Sequence, residues 1–213
     1  PNTHRLVTSN LARAAAALVF SLDYRLAPEN PAPAALEDAI QAYRQLAKRF
    51  GDKNIIVAGD SAGAGLALAL LFTLRDEGAE QPAGGLLFCP WGDLELTGES
   101  IKRNRDLEPT LKRENLALCA EYYAADMDLS DPLLSPIHGN YADLAPLYIQ
   151  AAGKDLLLDD ARLISQAARK AGNAIKIDVF ADMFHAFQVA PHLVPEGQKA
   201  IVLAGAWAKT QFD

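Results

Sequence analysis

The chain is 213 residues long, half of its residues are hydrophobic and 22% are charged, which is typical of a single globular domain, spanning residues 1–213, with a sizeable core. Its formal net charge of −7 argues against nucleic acid or an anionic membrane surface as a partner. Two cysteines are too few for a disulfide framework and indicate a reducing, cytoplasmic location. No apolar run in the sequence is long enough to span a bilayer.

Short apolar runs alternate along the chain with segments of helical periodicity. Residues 34–50, for example, place Leu36, Ile40 and Tyr43 on one face at spacings of three and four. This alternation predicts an α/β fold, a mostly parallel, doubly wound sheet covered by helices on both faces. The strands are predicted at residues 17–24, 54–60, 84–91, 147–153 and 175–181, and the helices at residues 34–50, 62–76, 159–171 and 196–212.

A long segment, residues 92–146, separates the third and fourth predicted strands. It contains a predicted helix near residues 110–125 and loops rich in Pro, Asp and Ser. Connections of this length are usually functional, and ligands of such sheets bind beyond the carboxyl ends of the strands. We therefore expect this segment to contribute to a lid or to the substrate pocket.

The sequence VAGDSAG, residues 57–63, places a serine between two glycines where a buried strand is followed by a buried helix. A tight strand-to-helix turn would lift the Ser61 hydroxyl clear of the sheet, and side chains at positions 59 and 63 would collide in that turn. This G-x-S-x-G elbow is a known catalytic pattern. Ser61 is therefore predicted to be a nucleophile, and the Ala62 N–H at the helix start is predicted to stabilise an oxyanion.

A serine nucleophile needs a base, and the expected chain order is serine, acid, histidine. His185 lies just beyond the last predicted strand, at the same sheet edge as Ser61. The other histidines fit less well. His4 precedes the serine and is expected to be a surface residue, and His138 and His192 lie in turn-rich loops. His185 is therefore predicted to be the general base.

The acid that orients the base should follow a strand between Ser61 and His185. Asp155 follows the fourth predicted strand by two residues and so belongs to the loop at the reactive edge. Asp159 and Asp160 open the next helix, where carboxylates commonly cap free N–H groups. Asp155 is therefore predicted to complete a Ser-His-Asp triad. Asp143 and Asp178 lie at the opposite ends of their strands.

The motifs together resemble the hormone-sensitive-lipase-like family of α/β-hydrolase esterases. The resemblance implies hydrolysis of carboxylic esters with short or medium acyl chains, a small-molecule substrate and neither metal nor organic cofactor, and it supports Ser61, Asp155 and His185 as the triad. The segments that carry it are SLDYRLAPENPAPAALEDA (21–39), GDSAG (59–63), DPLLSP (131–136), GKDLLLDD (153–160) and FHAF (184–187).

Two further residues are candidates for the neighbourhood of the pocket. Asp60 is adjacent to the nucleophile and is predicted to be a supporting polar group. Trp91 ends the third predicted strand at the same edge, where it would either line the substrate pocket or pack in the core.

The sequence departs from the family in one respect. Family members carry a His-Gly-Gly-Gly stretch before the YRLAPE segment, and its N–H groups supply most of the oxyanion hole, whereas this sequence contains no such stretch. We therefore expect the amino-terminal part to be missing. Either a companion amino-terminal fragment or another copy in a homo-oligomer would supply this part. The third alternative is that the sequence is a partial record.

The same triad also serves other reactions. An amidase, an arylformamidase or an acyltransferase would need the same three residues. A non-catalytic ligand-binding member of the fold is the alternative from a different class, although such members usually lose a triad residue.

Overall fold

The protein is described by a computed structural model for residues 4–212. Its sheet contains four parallel strands that lie side by side in chain order. The register pairs Asp60 with Phe88 at the ends of the first two strands and Ala152 with Phe180 at the ends of the last two. Phe88 in turn pairs with Gln150, so the four strands end at a common edge. The strands are β1 (Ile56–Asp60), β2 (Gly84–Phe88), β3 (Leu147–Ala152) and β4 (Ile175–Phe180).

Seven α-helices are present within residues 4–212, and none of them is long and apolar enough to cross a membrane. The long predicted helices are all present, with ends that differ from the predicted ones by a few residues. The helices are α1 (Arg5–Ala15), α2 (Ala34–Phe50), α3 (Ala62–Asp76), α4 (Ser100–Arg103), α5 (Arg113–Ala124), α6 (Leu158–Lys170) and α7 (Pro195–Lys209).

Helices cover both faces of the sheet, as the strand and helix alternation predicted. Helices α3 and α6 pack on one face, through residues such as Leu68 and Ile164. Helices α1 and α7 pack on the other face, where Leu11 and Ile201 contact the apolar side chains of β2 and β3. Strands β2 and β3 are buried along their whole length, which explains why they are continuous apolar runs rather than alternating ones.

Helix α3 is apolar around its circumference because it is covered on two sides. One side faces the sheet, and α2 packs on the other through Leu36, Ala39 and Tyr43. A helix that is buried on all sides has no polar stripe. Ser61 therefore lies between β1, which is only partly buried and not fully buried as predicted, and the buried helix α3, which gives the nucleophile a rigid support.

Two strand predictions are corrected by the structure. Residues 17–24 form no strand within the described chain, and Leu18 and Phe20 are exposed. A strand requires a neighbour to pair with its backbone, and apolar content alone does not supply one. The third predicted strand, 84–91, ends at Phe88, because Cys89 adopts a φ of 43° that bends the chain away from the ladder.

The segment between β2 and β3 folds over the carboxyl end of the sheet with a core of its own. Trp91, Leu96, Ile101 and Leu116 belong to this cluster, and Leu156 from the loop after β3 completes it. The segment therefore packs against the loop that carries Asp155. A role in a lid or a substrate pocket stays a prediction.

Candidate active site

Ser61 lies in a tight turn between β1 and α3, with φ 53° and ψ −121°. This conformation is unusual for a residue with a side chain, and it persists only where the surroundings fix it. The Ser61 N–H donates to the Phe88 carbonyl at 2.9 Å, and the Trp91 N–H donates to the Ser61 carbonyl at 3.1 Å. The end of β2 thus holds the serine on both sides, as an elbow at the edge of the sheet.

The glycines around Ser61 have different roles from those predicted. A Cβ on Gly59 would lie 2.1 Å from the Gly63 carbonyl oxygen, so that position must be glycine. A Cβ on Gly63 would meet nothing within 4 Å in the described chain, so the predicted collision there is wrong. The second crowded position is Gly65, where a Cβ would lie 2.6 Å from the Trp91 carbonyl oxygen. It was missed because a glycine inside a helical pattern carries no specific signal.

The structure brings together the three residues that the sequence analysis selected. His185 Nε2 lies 2.9 Å from Ser61 Oγ, and His185 Nδ1 lies 2.8 Å from Asp155 Oδ2. Ser61, Asp155 and His185 follow β1, β3 and β4 respectively. An ionised carboxylate only accepts hydrogen bonds, so Nδ1 carries the imidazole proton and Nε2 presents a lone pair to the serine.

The environment of His185 favours its protonated form. Burial lowers the pKa of the imidazole, but the hydrogen bond and charge of Asp155 raise it, as do the charges of Glu108 and Asp60, and the net shift is upward. Asp155 is itself 1% exposed and accepts a further hydrogen bond from the Leu157 N–H at 2.9 Å. The site therefore stabilises an imidazolium, which a base must become when it takes a proton.

Glu108 is part of this site and was not found from the sequence. Its Oε2 accepts a 2.8 Å hydrogen bond from the His185 backbone N–H. Its Oε1 accepts hydrogen bonds from the Thr110 N–H and hydroxyl. Glu108 is thus a buried carboxylate that holds the histidine loop from the segment between β2 and β3. No local pattern marks it, because its partner lies 77 positions further along the chain.

The loop that carries Asp155 is held by the same segment. Asn104 donates to the carbonyls of Gly153 and Asp155, at 3.1 and 2.7 Å. Ser100 donates through its hydroxyl to the Leu156 carbonyl at 2.6 Å. These bonds satisfy backbone groups that a buried loop would otherwise leave unpaired. The segment therefore positions the acid as well as the base.

The two neighbouring acids do not lie at the triad. Asp160 is buried, and it accepts the N–H groups of Gly92 and Asp93 at 2.9 and 3.0 Å instead of capping its own helix. Asp159 accepts from the Ser100 N–H and pairs with Arg103. The predicted caps on their own helix are not formed; both carboxylates instead tie α6 to the β2–β3 segment.

The remaining acids and histidines lie outside the Ser61–His185–Asp155 arrangement. Asp178 accepts from the Tyr148 hydroxyl. His138 pairs with Glu95 at the surface, and His192 is exposed. Asp143, with a φ of 58°, lies in the turn before β3.

The two residues assigned to the pocket's neighbourhood have different surroundings. Asp60 contacts His4, whose Nε2 lies 3.1 Å from each carboxylate oxygen. His4 is therefore more than a surface residue, since it joins the start of α1 to the end of β1. Trp91 is 7% exposed, packs in the apolar cluster of the β2–β3 segment and donates from Nε1 to the Asp93 carbonyl. Of the two predicted alternatives, the pocket lining and the core, the structure places Trp91 in the core.

Ala62 is the first residue of α3 and is exposed beside the nucleophile. The first N–H groups of a helix have no partner within the helix, and they carry its positive dipole end. This geometry fits a donor to a developing negative charge, which is the role predicted for Ala62.

One set of side chains in the site could hold a metal ion. Ligand atoms of Cys89, Asp155 and His185 lie within 4.8 Å of one another, and all three residues are buried. Burial and the charge of Asp155 raise the pKa of the Cys89 thiol well above its usual value, so the thiol is neutral. A neutral, buried thiol is a poor nucleophile.

A strand, a strained serine and a helix at the edge of a parallel sheet define the α/β hydrolases. The profile of a family described as having the alpha/beta hydrolase fold matches residues 1–189 of the chain. The chain is 43% identical over 211 residues to an acetyl-hydrolase of Streptomyces hygroscopicus, covering 99% of this chain and 71% of that protein. It is 34% identical over 202 residues to an esterase of Acinetobacter venetianus, covering 94% of this chain and 67% of that protein.

Solved structures agree with these sequence matches. The chain superposes with a TM-score of 0.96 on an esterase from the bacterial hormone-sensitive lipase family, at 40% identity, covering 99% of this chain and 71% of that one. It superposes with a TM-score of 0.98 on a hormone-sensitive lipase from a metagenome library, at 34% identity, covering 100% and 72%. The chain belongs to the hormone-sensitive-lipase-like family of carboxylic ester hydrolases with the α/β-hydrolase fold.

Proposed function

We propose that the chain hydrolyses carboxylic esters with short or medium acyl chains, through an acyl-enzyme formed on Ser61. The observation that carries the proposal is the 2.9 Å separation of Ser61 Oγ and His185 Nε2, two atoms from residues 124 positions apart. A hydroxyl at this distance from an imidazole lone pair can pass on its proton as it attacks a carbonyl.

The reaction proceeds in two halves. Ser61 Oγ bonds to the ester carbonyl carbon while His185 Nε2 takes the hydroxyl proton, which gives a tetrahedral oxyanion. Asp155 holds Nδ1–H and stabilises the imidazolium. The imidazolium then returns its proton to the departing alkoxide, which leaves as the alcohol. Water repeats the sequence on the acyl-enzyme and releases the carboxylic acid and the free serine.

The oxyanion is stabilised at the start of α3. The Ala62 N–H is the donor in this proposal, and the positive end of the helix adds to it. Loss of one such donor lowers the rate about 10² to 10³-fold, so the rate depends strongly on how many N–H groups reach the oxyanion. The segment between β2 and β3, which positions Asp155 and His185, is proposed to shape the substrate pocket.

A fluorophosphonate probe followed by peptide mass mapping tests the nucleophile. We expect the label on Ser61 of the unmodified chain, and no label on a Ser61→Ala variant. A Ser9→Ala variant is a matched control, since Ser9 is an exposed serine of α1. Labelling of Ser61→Ala at the parent rate, or of another serine in the parent, would contradict the proposal.

Comparing p-nitrophenyl esters with p-nitroanilides separates the ester hydrolase from its alternatives on the same triad. We expect the esters to be cleaved faster, with rates falling as the acyl chain lengthens. Faster anilide cleavage would favour an amidase, and transfer of the acyl group to an added alcohol in preference to water would favour an acyltransferase. A Ser61→Ala variant that kept its biological effect would favour a ligand-binding protein.

Two further expectations belong to the same proposal. The first is a cytoplasmic location, which we expect because the chain has only two cysteines; cell fractionation tests it.

The second is a companion segment or a second copy that supplies further oxyanion donors, which we expect because the sequence has no His-Gly-Gly-Gly stretch. The intact mass and the oligomeric state of the purified active protein test it.

A further inference from the structure

Three different metal-binding groups converge at the carboxyl edge of the sheet. Cys89 directly follows β2, Asp155 follows β3 and His185 follows β4. Three adjacent parallel strands thus deliver a sulfur, a carboxylate oxygen and a ring nitrogen to one place. These atoms lie within 4.8 Å of one another, and the residues are 1%, 1% and 7% exposed.

The donor set suits zinc better than magnesium or calcium. Zinc binds thiolate, imidazole and carboxylate at about 2.0 to 2.3 Å, so tetrahedral ligands lie roughly 3.3 to 3.8 Å apart. To reach this arrangement, His185 Nδ1 and Asp155 Oδ2, now 2.8 Å apart, would open by about 0.5 to 1 Å, and the Cys89 sulfur, which lies within 4.8 Å of both ligand atoms, would close by up to about 1 Å. A soft sulfur and a borderline nitrogen disfavour magnesium and calcium, which prefer oxygen.

The Cys89 side chain is aimed at this place by an unusual backbone. Its φ is 43°, and its N–H is fixed by a 2.7 Å bond to the Gln150 carbonyl. Strained residues tend to lie at functional sites. The Cys89 sulfur contacts the Gln188 amide oxygen at 3.9 Å, a long contact that a metal ion would readily replace.

We propose that Cys89, Asp155 and His185 form an inhibitory zinc site built into the catalytic centre. Zinc bonds to the Cys89 sulfur, to the Asp155 carboxylate and to His185 Nδ1, and water takes the fourth position. The thiol proton passes to solvent, and the imidazole proton moves from Nδ1 to Nε2. Nε2–H then donates to Ser61 Oγ and has no lone pair with which to take its proton.

The inhibition rests on the proposed function, whereas the binding of zinc does not. Bound zinc separates His185 from Asp155 and leaves the ring in the wrong tautomer for a base. The surrounding charges support binding. Zn²⁺ enters and one proton leaves, so the site becomes more positive beside the buried carboxylates of Asp155 and Glu108. A reversible loss of esterase activity is therefore expected without any change of fold.

Cobalt tests the site without reference to activity, because Co²⁺ takes the place of Zn²⁺ and absorbs light. Titration of the full chain with Co²⁺ should give a sulfur-to-cobalt charge-transfer band that saturates at a single equivalent and disappears on adding Zn²⁺. The band should be lost in Cys89→Ser and kept in Cys119→Ser, which removes the other, exposed cysteine. A parent chain without the band, or a band lost only in Cys119→Ser, would overturn the proposal.

A second variant keeps the test decisive if Cys89→Ser does not fold. His185→Ala removes a ligand from another strand, and its Co²⁺ affinity should fall at least about tenfold, since even outer partners of a metal site are worth that much. An unchanged affinity would overturn the proposal.

Zinc inhibition of ester hydrolysis tests the regulatory part. The zinc concentration for half-inhibition, measured against each variant's own zinc-free rate, should rise at least about tenfold in Cys89→Ser and stay unchanged in Cys119→Ser. Equal inhibition of both variants would overturn the regulatory part. A chain that hydrolyses no ester would instead refute the proposed function, and the cobalt spectrum alone would decide the metal site.

Discussion

His185 Nδ1 lies 2.8 Å from Asp155 Oδ2, and neither residue is appreciably exposed. In an Asp155→Asn variant, an amide NH₂ that faces Nδ1 can only donate to it. The imidazole then carries its proton on Nε2, which is the wrong tautomer for a base. We expect kcat for p-nitrophenyl butyrate to fall about 10⁴-fold, the loss that the corresponding change causes in a serine protease.

The control for this prediction is Asp159→Asn, on the same stretch of chain. Asp159 pairs with Arg103 and the Ser100 N–H rather than with His185. An asparagine at this position can still accept from the Ser100 N–H, so kcat should stay within about threefold of the parent value. An Asp155→Asn variant that kept a tenth of the activity would exclude Asp155 as the orienting acid.

The pH dependence of activity should respond to Glu108. The base works when neutral, so kcat/KM rises with pH through the pKa of His185, which lies above its usual value. The Glu108 charge contributes to that upward shift. Removing the charge in Glu108→Gln lowers the pKa, so the acid limb of the profile should move to lower pH.

The measurement is kcat/KM against pH, with Glu99→Gln as the matched control, because Glu99 is exposed. The control profile should superpose on that of the parent. A limb that stays in place or moves to higher pH in Glu108→Gln would show that Glu108 acts only as a structural acceptor for the histidine loop.

The two glycines that flank Ser61 should differ in their effects on stability. Gly59→Ala places a methyl group against the Gly63 carbonyl, and we expect it to lower the free energy of unfolding by about 3 kcal/mol. The Gly63→Ala methyl group meets nothing within 4 Å among residues 4–212, so this variant should be neutral or stabilised by up to about 1 kcal/mol, because alanine favours the helix. Urea unfolding measures both, and equal losses would contradict the assignment.

Helix α1 should be loosened by a single methyl group on α7. A Cβ on Gly205 would lie 2.4 Å from the Ala14 Cβ and 2.5 Å from the Ala14 carbonyl carbon. Gly205→Ala should therefore cost about 1 to 3 kcal/mol and speed proteolysis within α1. Val202→Ala on the exposed side of α7 is the control, and its cleavage rate should match that of the parent.

The sequence was sufficient to select residues in the loops that come after strands. Ser61, Asp155 and His185 could be selected because parallel strands bring their carboxyl ends to one edge, so position relative to a strand predicts position in space. Glu108 could not be selected, since it lies in irregular chain and its contact with His185 depends on how that chain folds back. The same limit applies to Gly65, whose crowding comes from the Trp91 carbonyl.

The error at residues 17–24 has a related cause. An apolar run reports that side chains are suited to burial, but a strand exists only where another strand offers its N–H and C=O groups. Leu18 and Phe20 are therefore exposed in a segment of the described chain that has no regular secondary structure. Hydrophobic periodicity predicts the faces of elements well and their pairing poorly.

Helices α1 and α7 are far apart in the sequence, yet they pack so closely that a Cβ added at Gly205 would overlap the Ala14 backbone. During synthesis, Val7 and Leu11 therefore lack their permanent neighbours on α7 until the segment that contains α7 has been made. We therefore expect the docking of α1 on α7 to be a late step of folding, because it joins segments that are far apart in the sequence.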